Sequence, residues 1–273
     1  MTLGPIPAHL LPDTATAIGG RLTVGGVDVI DLAEQYGTPL FVYDERHLRA
    51  RCREAVDAFG DGVTYATKAF LSQAMAHLAW EEGMHLDVAT GGELHVALAA
   101  GVPADRLIMH GNNKSEAELR AALDAEVGRI VVDSFDELDR MEAIASDAGV
   151  VPNVLVRVNP GVEAHTHEYL QTGVTDSKFG FGIFNGDAAA AMARARTSPV
   201  MSLVGVHAHI GSQVFAVDSF RKAIEALAPF LAEHDLGEIS VGGGLGVAYV
   251  TGETAPTITE WAETIKSACR AWG

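Results

Sequence analysis

The chain has 273 residues, of which 48% are hydrophobic and 20% charged, a composition typical of a soluble globular protein with a large core. Its formal net charge of -17 excludes a general affinity for nucleic acid or for an anionic membrane surface. Cys52 and Cys269 are too few for a disulfide framework, and no apolar run approaches the roughly 18 residues of a membrane helix, so we expect a cytoplasmic protein.

In chain order, the sequence first predicts strands at 21–29 and 40–43 and a helix at 45–59. From residue 63 onward, short apolar runs alternate with amphipathic patterns that have the period of a helix. Strands are predicted near residues 63–66, 85–88, 106–110, 129–132, 153–158, 203–208 and 238–241. Helices are predicted near residues 72–82, 92–100, 115–125, 135–148, 188–197, 219–234 and 258–272.

This alternation gives seven βα units and predicts an α/β protein with a parallel sheet. Because seven units are close to the eight of a closed barrel, we expect a (β/α)8 barrel of the TIM type that lacks its last strand. A doubly wound open sheet is the alternative. The predicted division is an N-terminal β segment at 1–44 and the barrel at 45–273. A long insert at 161–185 interrupts the repeat, and loops of that length at strand ends usually carry function.

Lys68 follows the first predicted barrel strand and has apolar and small neighbours. Loss of hydration in such surroundings favours the neutral, nucleophilic amine of a lysine. An amine of this kind can hold an aldehyde cofactor, so Lys68 is the candidate catalytic residue. Most lysines at strand ends have surface or ion-pair roles, and the assignment therefore depends on the motifs that follow.

Two charged residues, Asp87 and Arg157, are predicted inside barrel strands, where an unpaired charge is costly. Lys68 on the neighbouring strand is the candidate partner of Asp87. Arg157 must pair with a carboxylate or bind an anion. Glu93 equally fits a first-turn residue of the next helix, where the helix dipole favours a carboxylate.

His207 and His209 lie at the end of the sixth predicted strand, and the strand period of two directs both imidazoles the same way. One interpretation is a pair of metal ligands, as in hydrolase barrels in which a lysine is also a ligand. The other is that one imidazole stacks on a flat cofactor ring while Ser212 donates a hydrogen bond to its phosphate. A histidine satisfied within the core is a weaker alternative for a pair than for a single residue.

Three consecutive glycines, Gly242, Gly243 and Gly244, follow the seventh predicted strand. Such a run allows backbone N–H groups to close around a phosphate, and barrels often bind phosphate after their last strands. A flexible turn is the alternative interpretation. The run lacks the Lys-Ser/Thr ending of a nucleotide P-loop, so ATP is disfavoured.

Two further polar segments are predicted at the barrel mouth. Segment 110–114, with the sequence HGNNK, ends the third strand and also fits a capped loop before a helix that starts near Ser115. Segment 163–168, with the sequence EAHTHE, contains two histidines but has no further ligand at a supporting spacing. We interpret it as a substrate-facing loop and expect no metal site.

Three segments in this order and on these strands resemble the alanine-racemase-like barrel family of pyridoxal-phosphate decarboxylases: 65–69 (YATKA), 209–213 (HIGSQ) and 242–246 (GGGLG). Within that family, segments 110–114, 161–168 and 178–180 are similar to the diaminopimelate decarboxylases. The likeness runs from about residue 24 to the end of the chain. It implies pyridoxal 5′-phosphate as the cofactor.

Carried over residue by residue, the resemblance implies that Lys68 forms the Schiff base and that His209 stacks on the pyridine ring. It implies that Ser212 and the glycines Gly242, Gly243 and Gly244 hold the phosphate. The remaining implied residues, which match positions lining the cofactor in the wider family, are Asp87, Arg157 and Glu93.

The resemblance further implies a carboxy-lyase of lysine biosynthesis that converts meso-diaminopimelate into L-lysine and carbon dioxide and works as a homodimer. Family members continue into a Glu-Pro-Gly-Arg strand, which completes the barrel, and into a β domain with a Cys-Glu-Ser segment and a substrate-binding tyrosine. This sequence has none of these. We therefore expect the N-terminal β segment to belong to a missing C-terminal β domain, and the chain to have little or no turnover.

Three alternatives remain open from the sequence. A stand-alone pyridoxal-phosphate carrier would need no second domain. A decarboxylase of arginine or ornithine would differ only in its substrate pocket. A metal-dependent hydrolase built on His207, His209 and Lys68 is disfavoured, because it would carry the His-x-His pair on its first strand.

Overall fold

The structure, a computed structural model of the chain, describes residues 6–162 and 178–271. Its strands are β1 Thr16–Ile18, β2 Arg21–Val24, β3 Val27–Asp28, β4 Thr64–Ala66, β5 His85–Val88, β6 Leu107–Met109, β7 Arg129–Val132, β8 Asn153–Asn159, β9 Phe181–Gly182, β10 Ser202–His207 and β11 Glu238–Ser240. Its helices are α1 Val29–Tyr36, α2 Glu45–Phe59, α3 Gln73–Glu81, α4 Gly91–Ala99, α5 Glu116–Asp124, α6 Phe135–Ala148, α7 Asp187–Thr197, α8 Asp218–Ala232 and α9 Ile258–Arg270.

Seven parallel strands form a curled sheet in the order β4-β5-β6-β7-β8-β10-β11. The order follows the chain in one direction and never reverses, whereas a doubly wound sheet reverses at a switch point. This confirms the predicted α/β class with a TIM-type barrel that lacks a strand. Within the described residues, β4 and β11 are the two edges, and the sheet is open between them.

The central strands are buried on both faces, as expected for a parallel sheet that helices cover. Six of the seven residues of β8 are buried, including the apolar run Val154, Leu155 and Val156. Five of the covering helices, α3, α4, α5, α6 and α9, start at a Ser or Thr side-chain cap. Ser115 and Glu118 form a reciprocal capping box at the start of α5, which ends the loop after β6 at a defined residue.

The ring of helices closes although the sheet does not. The first residues of α9 reach α2, where the Glu54 carboxylate accepts hydrogen bonds from the backbone N–H and the hydroxyl of Thr259, each 3.2 Å long. Next to them, the Trp261 ring packs edge-on against Phe59, with 4.9 Å between centroids. The two ends of the barrel are therefore fixed side by side by their outer helices.

The N-terminal segment differs from its prediction. The stretch 21–29 is a hairpin rather than one strand, because Gly25 and Gly26 adopt φ values of +61° and +86° in a two-residue turn between β2 and β3. The predicted strand at 40–43 is wrong. These apolar residues have a high strand propensity but find no neighbouring strand among the described residues, and Phe41 is 86% exposed.

The predicted insert contains a strand that the sequence pattern did not indicate. β9 pairs with the end of β8 outside the main row of strands, with Phe181 opposite Val158. Segment 163–168, predicted to face the substrate, lies outside the described residues. Across residues 6–162 and 178–271, no helix has the length and apolar character needed to span a membrane.

Candidate functional site

Lys68 lies immediately beyond β4, in a single 3-10 turn at Thr67–Ala69. The buried Thr67 hydroxyl donates a 2.7 Å hydrogen bond to the Asp87 carbonyl on the adjacent strand, which fixes the turn against β5. The predicted position at the carboxyl end of a strand is therefore correct. The expected loss of hydration is wrong, because Lys68 is exposed where the neighbouring Thr67 is buried.

Asp87 points from β5 into the polar interior at this end of the barrel. Its carboxylate lies 3.6 Å from the His110 ring nitrogen. In the described chain no Lys68 nitrogen comes within 4.0 Å of it, so the predicted partner Lys68 acts on Asp87 through its charge and not through direct contact. Burial raises the pKa of Asp87 to about 7, while the charges of Lys68 and Arg157 act in the opposite direction and that of Glu93 in the same one.

Glu93 is a first-turn residue of α4, as the alternative interpretation expected. Its carboxylate accepts hydrogen bonds from the Ala89 N–H (2.7 Å) and the Thr90 hydroxyl (3.2 Å), at the start of α4. It therefore closes the first turn of that helix. Its charge still reaches the site, since it contributes to the raised pKa of Asp87.

His207, at the end of β10, is buried and has partners of its own. Its Nδ1 lies 2.8 Å from the Ser240 hydroxyl on β11, and its ring packs edge-on against His110 at 4.7 Å between centroids. Burial holds the pKa of His207 well below its usual range. Among the residues described, no group of three or more His, Cys, Asp or Glu has the arrangement of a metal site.

His209 lies two residues beyond β10, against the glycine loop. A side chain at Gly242 would come within 2.8 Å of the His209 Nδ1 atom, so only glycine permits this approach. Burial, together with the charges of Arg157 and Lys68, lowers the pKa of His209 to about 3. The imidazole is therefore neutral at physiological pH and can stack on an aromatic ring without carrying a charge.

Arg157 is buried near the end of β8, where it is held from two sides. Its Nη1 lies 3.2 Å from an Asp133 carboxylate oxygen, and its guanidinium lies 4.5 Å above the centre of the Phe179 ring. The other Asp133 oxygen accepts a 2.8 Å hydrogen bond from the Gly180 N–H. The choice left open by the sequence is thus resolved in favour of a carboxylate partner, Asp133, which the sequence did not indicate.

The glycine loop is packed closely against the loop that follows β10. A Cβ atom on Gly244 would lie 1.9 Å from the Gly211 carbonyl oxygen, and one on Gly242 would lie 2.6 Å from the Ala208 oxygen. Gly243 is different, because a side chain there would meet nothing within 4 Å. The loop is therefore packed closely at Gly242 and Gly244 and has open space beside its central residue, Gly243.

Lys114 differs from the prediction that segment 110–114 places polar groups over the barrel mouth. Its side chain is fully buried, and its Nζ lies 2.7 Å from a Glu137 oxygen in α6. The same nitrogen donates to the carbonyls of Gly111 (2.8 Å) and Val131 (2.7 Å). Burial lowers the pKa of Lys114 and raises that of Glu137, while their attraction opposes both shifts.

The structure thus brings an exposed lysine beyond β4, a neutral histidine beyond β10 and a buried arginine near the end of β8 into one cluster at the carboxyl end of the sheet, with the histidine beside the glycine loop. The lysine amine can condense with an aldehyde. The histidine can pack on a flat ring, and the open side of the loop at Gly243 leaves backbone groups free of side-chain obstruction, as phosphate binding requires. These donors fit a phosphorylated aromatic aldehyde.

Residues 45–272 match the model of the pyridoxal-dependent decarboxylases, pyridoxal binding domain. The chain belongs to this family. Pyridoxal 5′-phosphate, the cofactor that its site fits, is the cofactor of the family. The match covers the whole half-barrel together with α2 and α9.

Two curated relatives of the chain are both named diaminopimelate decarboxylase. It is 47% identical over 255 residues to a diaminopimelate decarboxylase of Mycobacterium bovis, which covers 89% of this chain and 57% of the relative. It is 45% identical over 272 residues to that of Corynebacterium efficiens, covering 96% and 59%. The chain therefore spans less than two thirds of the length of these relatives.

Among solved structures, the chain is similar to the diaminopimelate decarboxylase from M. jannaschii in complex with L-lysine. The TM-score is 0.87 at 31% sequence identity, over 96% of this chain and 63% of that one. A lysine complex of the Helicobacter pylori enzyme gives a TM-score of 0.83 at 30% identity, over 88% and 62%. Similarity at this level extends from the sheet to the arrangement of the surrounding helices.

Proposed function

We propose that the chain is the pyridoxal-binding part of a diaminopimelate decarboxylase. The observation that carries the proposal is the position of Lys68 beyond β4, in one polar cluster with Asp87, Arg157 and His209 and across from the glycine loop. The names of the relatives, and the lysine bound in two similar structures, support the same substrate class.

In this proposal each residue of the site has one task. Lys68 binds the cofactor aldehyde, the neutral His209 packs on the ring, and Asp87 and Arg157 line its edge. The phosphate is held by Ser212 and the glycines Gly242, Gly243 and Gly244. When bound, the cofactor supplies the ring system that accepts the electron pair left behind by carbon dioxide.

The substrate we propose is meso-diaminopimelate, which loses one carboxylate and gains a proton at the same carbon to give L-lysine. We also propose a cytoplasmic homodimer, in keeping with a biosynthetic enzyme.

The division at residue 44 is part of the proposal. We infer that residues 1–44 pack against a separate β domain in the whole protein. Large apolar side chains that stay exposed at the end of α1 and in the segment after it support this inference: Tyr36, Phe41 and Tyr43 are each more than half exposed.

The first test is an absorbance spectrum of the purified 273-residue chain with pyridoxal 5′-phosphate. We expect a visible band that borohydride fixes covalently, at one cofactor per chain, and that the Lys68→Ala variant lacks. Lys222→Ala is the matched control, since Lys222 is an exposed lysine on α8 paired with Asp218 at 3.1 Å. A band of equal strength in the Lys68→Ala variant would refute the proposal.

A second test addresses the substrate. The loaded chain, and the same chain joined to the remaining length of a relative, are incubated separately with meso-diaminopimelate, L-ornithine and L-arginine. We expect little or no turnover by the chain alone, and carbon dioxide and L-lysine from the joined chain with meso-diaminopimelate only. Release of carbon dioxide from ornithine or arginine at an equal rate would assign the site to a different basic amino acid.

A further inference from the structure

Gln213 joins the two loops that form the proposed phosphate site. Its side-chain amide nitrogen donates to the Val247 carbonyl, and its amide oxygen accepts from the Val247 N–H, both at 3.1 Å. Both polar atoms of one side chain are therefore used on one backbone residue, 34 positions away in sequence. The pairing has the form of a strand ladder in which a side chain replaces one strand.

The backbone beside this contact is paired as well. The buried Val214 donates from its N–H to the Gly244 carbonyl (2.9 Å) and accepts from the Gly246 N–H (3.0 Å), and it forms an isolated parallel bridge with Leu245. Together with the amide of Gln213, four hydrogen bonds connect the loop after β10 to the loop after β11. Ser212 and Gly243 lie directly next to these connections in sequence.

Gln213 accepts an unfavourable backbone conformation in order to make this contact. Its φ is +55°, in the left-handed region that favours glycine, and Glu126 is the other non-glycine residue with a positive φ in the described part of the chain. Glycines surround it at Gly211, Gly242 and Gly244, all with positive φ. A glycine would be the simpler choice for this turn, so the glutamine amide must contribute something that glycine lacks.

The amide of glutamine is also specific in its chemistry. Donating and accepting at once requires a carboxamide, because a carboxylate only accepts and an amine only donates. We propose that Gln213 is a positioning residue that holds Ser212 and Gly243 in the phosphate-binding conformation before the cofactor arrives. This inference rests on the proposed function, since it assigns the phosphate to these two loops.

Preorganisation of this kind strengthens phosphate binding and does not change the reaction of the aldehyde with Lys68. Pyridoxal 5′-phosphate and pyridoxal differ by the phosphate only, so their affinities separate the two effects. Gln213→Gly keeps the favoured backbone conformation and removes the amide. Gln213→Glu keeps the length and the acceptor but removes the donor.

We expect both variants to bind pyridoxal 5′-phosphate about tenfold more weakly, as the loss of one or two hydrogen bonds implies, and to bind pyridoxal as the unaltered chain does. Affinity is read from the band that borohydride fixes. Val247→Ala is the matched control, because Val247 takes part in the contact through its backbone only and its side chain is half exposed. It should bind both compounds normally.

Equal affinity of Gln213→Gly and the unaltered chain for pyridoxal 5′-phosphate would overturn the inference. So would an equal loss of affinity for both compounds, which would indicate a general structural defect. Calorimetric titration with inorganic phosphate distinguishes a failure of this inference from a failure of the proposed function, because phosphate binding does not involve Lys68. We expect Gln213→Gly to weaken phosphate binding and Lys68→Ala to leave it unchanged. Two results would contradict the inference: Gln213→Gly binds phosphate as well as the unaltered chain, or the unaltered chain binds no phosphate.

Discussion

Two regions of the molecule use the same kind of charged pair in opposite surroundings. In the interior, Lys114 and Glu137 approach to 2.7 Å and neither side chain is accessible to water. In the N-terminal sheet, Arg21 lies 2.5 Å from both Asp28 and Asp31, but these side chains remain 18% to 68% exposed. Short distances alone therefore say little about strength, because water screens the second set and cannot reach the first.

The charged pairs of the two regions also differ in the parts of the fold that they connect. Lys114 bonds to the loop after β6 and to a carbonyl of β7, and Asp133, just past β7, holds Arg157 of β8. Buried charges thus connect three adjacent strand ends next to the proposed site. The N-terminal pairs connect β2 to β3 and to the first turn of α1. We expect the first region to lose stability when a charge is removed and the second to tolerate it.

The largest effect is expected from Glu137→Leu. It leaves the Lys114 ammonium buried without its counter-charge, and the expected loss is about 3–5 kcal/mol of unfolding free energy, measured by urea denaturation. The double variant with Lys114→Met removes both charges and should recover most of that loss. If the double variant were as unstable as the single one, packing rather than charge would explain the effect.

A smaller loss is expected from Asp133→Asn. The amide oxygen can still accept from the Gly180 N–H, but Arg157 loses its carboxylate, and we expect a loss of about 2 kcal/mol in the same measurement. Asp139→Asn on α6 is the control, because its partner Arg194 also contacts Glu142 and the Asp139 carboxylate is mostly exposed. Comparable losses from both variants would contradict the distinction between buried and exposed pairs.

Asp87→Asn tests how a buried carboxyl group makes the stability of the folded chain depend on pH. The folded pKa of about 7 lies above the ordinary value of 3.8, so the folded chain binds this proton more tightly than the unfolded chain does. The resulting stability is fully present below about pH 3.8 and is lost as the pH rises through about 7. We expect the unfolding midpoint of the unaltered chain to fall relative to Asp87→Asn over this window, whereas Asp57→Asn on the exposed side of α2 should run parallel to the unaltered chain.

The smallest effect is expected from Arg21→Ala. Its two ion pairs lie in water, so the thermal midpoint should match that of the unaltered chain and should not respond to added salt differently. A clear loss of stability at low salt that disappears at high salt would mean that the exposed network contributes after all, and would weaken the comparison.

Much of the barrel could be predicted from the sequence because its strands are apolar on both faces and its helices have a clear period. The strands from β4 to β8, and β10 and β11, follow this pattern. The prediction at 40–43 is wrong because strand propensity cannot supply a neighbouring strand, and β9 is too short to leave a periodic signal. The domain division at residue 44 stays a prediction.

The site shows the same limit. Lys68, Asp87, Arg157 and His209 could be found from their positions at strand ends, and the glycines from their spacing. Their partners could not, because contacts across the sheet depend on which residues lie side by side in space. Asp133 and Gln213 are ordinary polar residues in the sequence. Lys114 was predicted to lie over the barrel mouth because its loop is polar, yet its amine is buried and pairs with Glu137 of α6.

The contact between α2 and α9 has a consequence for how the chain reaches its final state. Glu54 and Thr259 are 205 residues apart, and the entropic cost of closing so long a loop is met only after the intervening units have formed. Trp261 lies at this seam, between the rings of Phe59 and Phe220. We expect its fluorescence to change late in refolding, so this tryptophan is an intrinsic probe of the step in which α2 and α9 come into contact.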